Sequence, residues 1–285
     1  MATKKTKRKK ERAKTLTPAQ CVADAKNYNK SIPDRLEALS GTIDAVLGKD
    51  VHYQDVLAIL RNVEESLEVR LAALNSLQAA SFQSIRFESL RADYIATLRK
   101  LARDPDPEMR NEALEILSCE QDGYAQKKLL EGLENPEKAL VEPELALQYL
   151  GHDIHADAYK VARDIVKNPP SESARREALK LLAADASASR VFEKVLRDKS
   201  EASETRLIAA AALRSLKPMT FSKLAGEIVQ DTTDDDDMHS ACLTALGHFG
   251  EDDLNEDQKL MRRAKQLKAK SKVKKSARQF LARYE

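Results

Sequence analysis

The chain has 285 residues, of which 42% are apolar, 33% charged and 5% aromatic. Its three cysteines are odd in number and far apart, which fits a reducing cytoplasm better than a disulfide framework. No apolar run is long enough for a membrane span or a secretory signal, so we expect a cytoplasmic protein. The net charge of +2 hides an asymmetry: residues 1–14 carry eight Lys or Arg and one Glu, residues 259–285 carry eleven and one, and the middle is acidic.

The first segment is strongly basic and has no apolar periodicity. We therefore expect residues 1–16 to form a disordered basic arm, which in a eukaryote would be interpreted as a nuclear-localisation signal. Thr17 and Pro18 are typical of a helix start, because a hydroxyl caps the first turn and proline is tolerated at its first position. Residues 17–285 are then predicted to form one helical repeat array.

A short signal recurs along this array. A basic or polar residue is followed three positions later by a small residue and then mostly by leucine, with 31 to 40 residues between successive copies. Such a period indicates stacked supersecondary units, each of which buries its apolar side only against its neighbours. The small residues, predicted to lie where two helices approach closely, are Ala38, Ala73, Ala113, Ala146, Ala178, Ala209 and Cys242.

The periodicity predicts an all-α right-handed solenoid of about seven to eight helix pairs. In each pair the second helix carries the recurring signal, and a short polar turn with Pro, Asp, Asn or Ser joins the two helices. The last pair, at about 255–284, is predicted to be a basic capping pair. The expected pairs cover about 17–47, 53–80, 92–119, 123–151, 156–184, 187–216, 220–249 and 255–284.

The third pair resembles a HEAT repeat. Asp104-Pro-Asp-Pro-Glu-Met-Arg110, followed by Ala113 and Leu117, is similar to the family pattern of a turn, an arginine, a small residue and a leucine. The resemblance implies an acid six residues before each arginine and structural ion pairs along the stack. The tetratricopeptide pattern fits less well, since the chain has no Trp. The structural positions implied are Arg70, Asp104, Arg110, Arg175 and Arg206.

Most pairs depart from this pattern. The position six before the arginine is Glu64, Pro169 or Ser200 in three of them, and Pro143 and His239 replace the arginine in two others. An unbroken ladder of ion pairs is therefore not expected.

The two basic ends are the candidate binding sites, because clustered Lys and Arg bind nucleic acid and other polyanions by counterion release. Only Phe280 and Tyr284 lie near the C-terminal cluster, so base stacking is weakly supported. Solubility and capping of the stack are the alternative roles. The candidate residues are Lys4, Lys5, Lys7, Arg8, Lys9, Lys10, Arg262, Arg263, Lys265, Lys268, Lys270, Lys272, Lys274 and Lys275.

Other reactive residues have simpler interpretations. Cys242 occupies a packing position and is predicted to be a core thiol rather than a partner of His239 in catalysis. His152 and His155 lack a third metal ligand. The acidic run at 234–237 lacks the pattern of a calcium loop. We therefore expect a solvated turn that attracts a basic partner or the chain's own basic arm.

The sequence predicts neither a catalytic residue nor a metal, a cofactor or a small-molecule substrate. The expected function is a non-catalytic scaffold for a protein partner, and the alternative is sequence-independent nucleic-acid binding through the basic ends. A remote alternative is an alkylpurine DNA glycosylase, because HEAT-like proteins include such enzymes, although this chain has no Trp and its middle is acidic. HEAT-like proteins also include bilin lyases, but no residue in this chain indicates that activity.

Overall fold

The computed structural model describes residues 16–152, 156–250 and 252–284. Within these ranges the chain forms seventeen α-helices and three short 3-10 turns, and no strand. The chain divides after Leu117 into two compact units. The prediction of an all-α fold with seven to eight helix pairs is confirmed, since the helices form eight successive hairpins and one additional short helix.

The first unit contains three of these hairpins. Its core includes an aromatic cluster in which Phe87 packs edge-on against both Tyr53 and Tyr94. All three rings are buried. The helices are α1 (Pro18–Ala25), α2 (Ile32–Ser40), α3 (Ile43–Gly48), α4 (Asp50–Arg61), α5 (Leu67–Ser81), α6 (Ser84–Leu101) and α7 (Pro107–Cys119), the last of which ends two residues beyond the unit.

The beginning of the first helix agrees with the sequence, but the first pair differs from it. Thr17 caps α1 through a reciprocal arrangement with Gln20, and Pro18 lies in the first turn. Residues 17–47 hold three helices instead of two. The buried hydroxyl of Thr42 contacts the carbonyl oxygen of Leu39 at 2.7 Å and the hydroxyl of Ser76 at 2.6 Å, so it competes with the helical bonds where α2 ends.

The second unit stacks five hairpins. The second helices of consecutive hairpins, α9, α11, α13, α15 and α17, contact one another in chain order. Each hairpin therefore buries its apolar side against its neighbours, as the repeat period predicts. The helices are α8 (Gly123–Glu134), α9 (Pro143–Leu150), α10 (Ala156–Lys167), α11 (Glu172–Leu182), α12 (Ser189–Arg197), α13 (Ser203–Leu216), α14 (Pro218–Gln230), α15 (Asp236–Phe249), α16 (Gln258–Leu267) and α17 (Lys274–Tyr284).

The small residues of the recurring signal lie inside the helix stacks. All seven of these residues are buried, and none is more than 3% exposed. A larger or charged side chain at any of these positions would push two helices apart or bury a charge.

Candidate functional site

The arginine that begins the second helix of a hairpin makes the same three contacts in four places. Its Nε donates to a backbone carbonyl at the end of the preceding helix. Its two Nη atoms donate to both oxygens of one carboxylate in the turn between the two helices of the next hairpin. Bidentate pairs of this kind are the strongest charge-assisted hydrogen bonds in proteins. The pairs are Arg35–Glu65, Arg70–Asp104, Arg175–Glu201 and Arg206–Asp234.

The Arg206–Asp234 pair shows the geometry of these contacts. The Arg206 Nε lies 3.0 Å from the Leu196 carbonyl oxygen, and its Nη atoms lie 2.6 and 2.8 Å from the two Asp234 oxygens. Both side chains are 2% exposed. Burial raises the pKa of Asp234, but the hydrogen bonds from Arg206 and from the Asp235 amide outweigh it, so the pKa lies below its ordinary value.

The four arginine–carboxylate pairs form a ladder along the helix stacks, and each pair is a rung. Hydrogen bonds outweigh burial in two further rungs as well. The Arg35 side chain lowers the pKa of Glu65 by hydrogen bonding. Burial raises the pKa of Asp104, and the bonds from Arg70 and the Asp106 amide lower it further than burial raises it. These carboxylates are thus held ionised within the helix stacks, where an unpaired charge would be strongly destabilising.

The ladder is more complete than the sequence predicted. Three of its acids, Glu65, Glu201 and Asp234, lie five residues before the next repeat position, and only Asp104 lies six before it. A pattern with the acid six residues before the repeat position therefore does not include them. A pattern that allows either spacing includes all four pairs.

Arg110, another predicted structural arginine, donates to the backbone of the turn that precedes its own helix. Its Nη1 donates to the carbonyl oxygens of Asp104 at 2.7 Å and Pro105 at 3.3 Å. His239 takes the arginine position in the seventh pair, where its Nε2 lies 2.8 Å from the Asp231 carbonyl oxygen. Its ring is completely buried.

The expectation of a solvated turn at 234–237 is wrong for its first residue, because Asp234 is the buried partner of Arg206. The next residue, Asp235, caps α15 by accepting from the Met238 amide at 2.8 Å. The last two acids face the basic chain that follows: the Asp236 Oδ1 lies 2.6 Å from the Lys270 Nζ, and the Asp237 Oδ1 lies 4.0 Å from the Lys272 Nζ.

Helices α16 and α17 present the C-terminal basic surface, and apolar contacts position α17. Phe280 packs so closely on α15 that a Cβ atom at Gly247 would lie 3.4 Å from the Phe280 Cα. The Tyr284 hydroxyl donates to the Leu246 carbonyl oxygen at 3.1 Å, and the hydroxyls of Ser240 and Ser276 lie 3.0 Å apart. The basic side chains are therefore carried on a docked helical hairpin.

Three of the predicted basic residues have partners within the second unit. Lys270 and Lys272 face the acids at the start of α15, as described above. Arg263 is half-buried, and its Nε donates to the Val229 carbonyl oxygen at 3.3 Å. These three side chains thus have structural contacts that a polyanion would have to compete with.

Six exposed cations of α16, α17 and the turn between them have no carboxylate within ion-pair distance among the residues that the structure describes. Residues 258–284 contain eleven Lys or Arg and no acid. Lys259 and Arg278 were missed by the sequence prediction, although both lie in the same acid-free stretch. The six are Lys259, Arg262, Lys268, Lys274, Lys275 and Arg278.

Lys265 is also exposed on α16, but it takes part in an interaction and is not counted among the six. The N-terminal candidates Lys4, Lys5, Lys7, Arg8, Lys9 and Lys10 lie outside the described residues. The two aromatic residues of the C-terminal segment, Phe280 and Tyr284, are buried at 0% and 8% exposure. Their rings are therefore not available for stacking on bases.

The other reactive side chains are placed as packing residues. Burial raises the pKa of the Cys242 thiol to about 12, so the thiolate that a nucleophile requires is strongly disfavoured. The described ranges hold no group of three His, Cys, Asp or Glu side chains arranged to bind a metal ion. None of the described helices is long and apolar enough to cross a membrane.

Comparisons with known proteins show similarity at the level of the fold. No model of a known protein family matches the sequence, and no curated protein matches it. Human deoxyhypusine hydroxylase, solved in complex with glycerol, is 16% identical, with 84% of this chain and 98% of that chain covered and a TM-score of 0.36. A chain from the complex of CpcE and CpcF of phycocyanin lyase from Nostoc sp. is also 16% identical, with 99% and 98% covered and a TM-score of 0.38.

These comparisons correct one conclusion from the sequence. The expectation of a non-catalytic scaffold, and of a protein that is not an enzyme, was drawn from the helical repeat architecture. Two solved structures to which this chain is similar are a hydroxylase and a lyase, so the helical repeat architecture does not support that expectation. At 16% identity the likeness concerns the fold, and it assigns no reaction to this chain.

Proposed function

We propose that the C-terminal basic surface, formed by α16, α17 and the turn between them, binds polyanions. The observation that carries the proposal is the group of six exposed cations without a carboxylate partner among the described residues. Elsewhere in the second unit some exposed cations are paired with acids, as in Lys199–Asp231 and Arg197–Glu227. The C-terminal surface thus holds an excess of positive charge that the described part of the chain does not neutralise.

The placement of two lysines supports this proposal. Lys274 and Lys275 occupy the first turn of α17, where the positive end of the helix dipole makes a cation unfavourable. The preceding second helices of the unit carry acids in that turn, including Glu172, Glu204 and Asp236. An anion bound beside Lys274 and Lys275 would relieve this repulsion and gain from the helix dipole.

The test uses fluorescence anisotropy of the full chain with a fluorescein-labelled DNA duplex of 20 base pairs, at several salt concentrations. The test variant is Lys274→Gln/Lys275→Gln/Arg278→Gln. The control variant, Lys49→Gln/Lys160→Gln/Lys217→Gln, removes the same net charge from exposed lysines elsewhere. If three phosphate contacts are lost, the slope of log K against log salt should fall by about 3 in the test variant and stay nearly constant in the control.

Two results would contradict the proposal. One is an unaltered protein that fails to bind the duplex at about 50 mM salt, where such contacts are strong. The other is an equal loss of affinity in the test and control variants, because the effect would then follow from net charge alone. A protein partner and a cytoplasmic location stay predictions from the sequence.

A further inference from the structure

We infer that the preferred ligand of the C-terminal basic surface is the phosphate backbone of a nucleic-acid duplex. This inference rests on the polyanion binding proposed above and names the class of polyanion. Three features of the described surface lead to it: the placement of its charges on two packed helices, the burial of its aromatic rings, and the burial of most of its large apolar side chains.

The charges are carried by two helices that pack against each other and by the turn between them. Lys259 and Arg262 lie on α16, Lys274 and Arg278 on α17, and Lys268 in the turn between the helices. From Lys259 to Lys268 the helical rise gives a length of about 14 Å, and packed helix axes lie about 8–10 Å apart. A duplex carries about one phosphate charge per 1.7 Å of its axis, so it presents several phosphates to an array of this size at once.

Aromatic stacking is the feature that favours single strands, and this surface lacks it. Proteins that bind single strands without sequence preference stack successive bases on exposed aromatic rings. Residues 258–284 contain two aromatic rings, Phe280 and Tyr284, and both are buried against α15. A single strand would therefore gain only from its phosphates, whose charge density along the chain is lower than that of a duplex.

An anionic membrane is disfavoured by the same region. Helices that bind a bilayer surface insert large apolar side chains below the headgroups. In α16 and α17 the large apolar residues Leu260, Leu267, Phe280 and Leu281 are buried in the helix stack, and Met261 is half-buried. The exposed face of α17 presents Lys275, Arg278, Gln279 and Ala282 instead.

The experiment compares three probes with the full chain at about 100 mM salt: a 20-base-pair random-sequence DNA duplex, a 20-nucleotide oligo-dT, and vesicles with about one third phosphatidylserine. We expect the duplex to bind at least about tenfold more tightly than oligo-dT, and two duplexes of different sequence to bind within about twofold of each other. The Lys274→Gln/Lys275→Gln/Arg278→Gln variant should lose the duplex preference, and the Lys49→Gln/Lys160→Gln/Lys217→Gln control should keep it.

The outcomes separate this inference from the proposal on which it rests. Equal or tighter binding of oligo-dT, with loss in the test variant, would overturn the duplex preference and leave polyanion binding standing. Vesicle binding tighter than duplex binding would likewise overturn it. A lack of binding to all three probes would overturn both.

Discussion

Two neighbouring junctions of the second unit are held together in different ways. Between α13 and α15 the cation is Arg206, buried and bonded to both oxygens of Asp234. Between α15 and the last hairpin, His239 stands at the arginine position, and the charged contact is Lys270–Asp236, with side chains 44% and 31% exposed. The first contact is shielded from solvent ions and the second is not. Successive hairpins are thus joined by a buried ion pair at one junction and by an exposed ion pair at the next.

The two junctions share their packing, which gives the largest expected effect. Ala209 and Cys242 hold the same position in the repeat and are both buried. We expect Ala209→Asp and Cys242→Asp each to lower the free energy of unfolding by about 4 kcal/mol or more, because each buries an unpaired charge. Chemical denaturation measures this, with Ala211→Asp on the exposed side of α13 as the control. A small loss of unfolding free energy in either buried variant would contradict the placement of that residue where two helices approach closely.

The buried pair should give the next largest effect. Arg206→Met leaves the Asp234 carboxylate buried without a partner, which should cost about 3–5 kcal/mol of unfolding free energy. The double variant Arg206→Met/Asp234→Leu should recover most of this loss, since it removes the stranded charge. Arg197→Met serves as the control because its pair with Glu227 is exposed. A double variant no more stable than the single one would contradict this account.

Lower pH should remove part of the stability that the buried pairs contribute. The pKa values of Asp104 and Asp234 are lower in the folded chain than their ordinary values, so these groups contribute stability that is present above the unfolded pKa of about 3.9. That stability is lost as the pH falls through the lowered folded values. The melting temperature should therefore drop steeply below about pH 4, and Arg206→Met/Asp234→Leu should show a shallower drop. Parallel curves for the two proteins would contradict the assignment.

The exposed contact should give the smallest effect. Asp236→Asn removes the partner of Lys270, and we expect only a small fall in melting temperature at low salt, because exposed pairs contribute little and are screened. In about 1 M salt the variant and the unaltered protein should melt together. The same variant should bind a DNA duplex slightly more tightly, since it frees Lys270. A difference in melting temperature that persists in high salt would show that the contact is structural.

Sequence reasoning predicted the helices well because their signals are local and periodic. The small residues from Ala38 to Cys242 mark the second helix of each pair up to α15, and all are buried. It failed where a partner is remote in sequence. Glu201 and Asp234 were passed over because the turn length before Arg206 and His239 differs by one residue from that before Arg110. The repeat period does not reveal this one-residue difference in turn length, since the position of the acid depends on how each turn directs its carboxylate.

The candidate site was predicted in part for a similar reason. The acid-free run indicated the basic surface, but it did not distinguish Lys274, which is exposed without an ion-pair partner among the described residues, from Lys270, which faces Asp236. Nor did it show that Phe280 is interior. These distinctions depend on which helix packs against α15, and that is a property of tertiary structure.

The ladder also limits where the chain can be shortened. Each rung joins an arginine to an acid contributed by the following hairpin, so a truncation removes the acid before it removes the cation that needs it. A protein ending at residue 230 would keep Arg206 folded among apolar side chains with its counterion deleted. Viable fragments should therefore end just after a complete rung, and deletion libraries of this chain should show survivors at intervals set by the acids rather than by the helix ends.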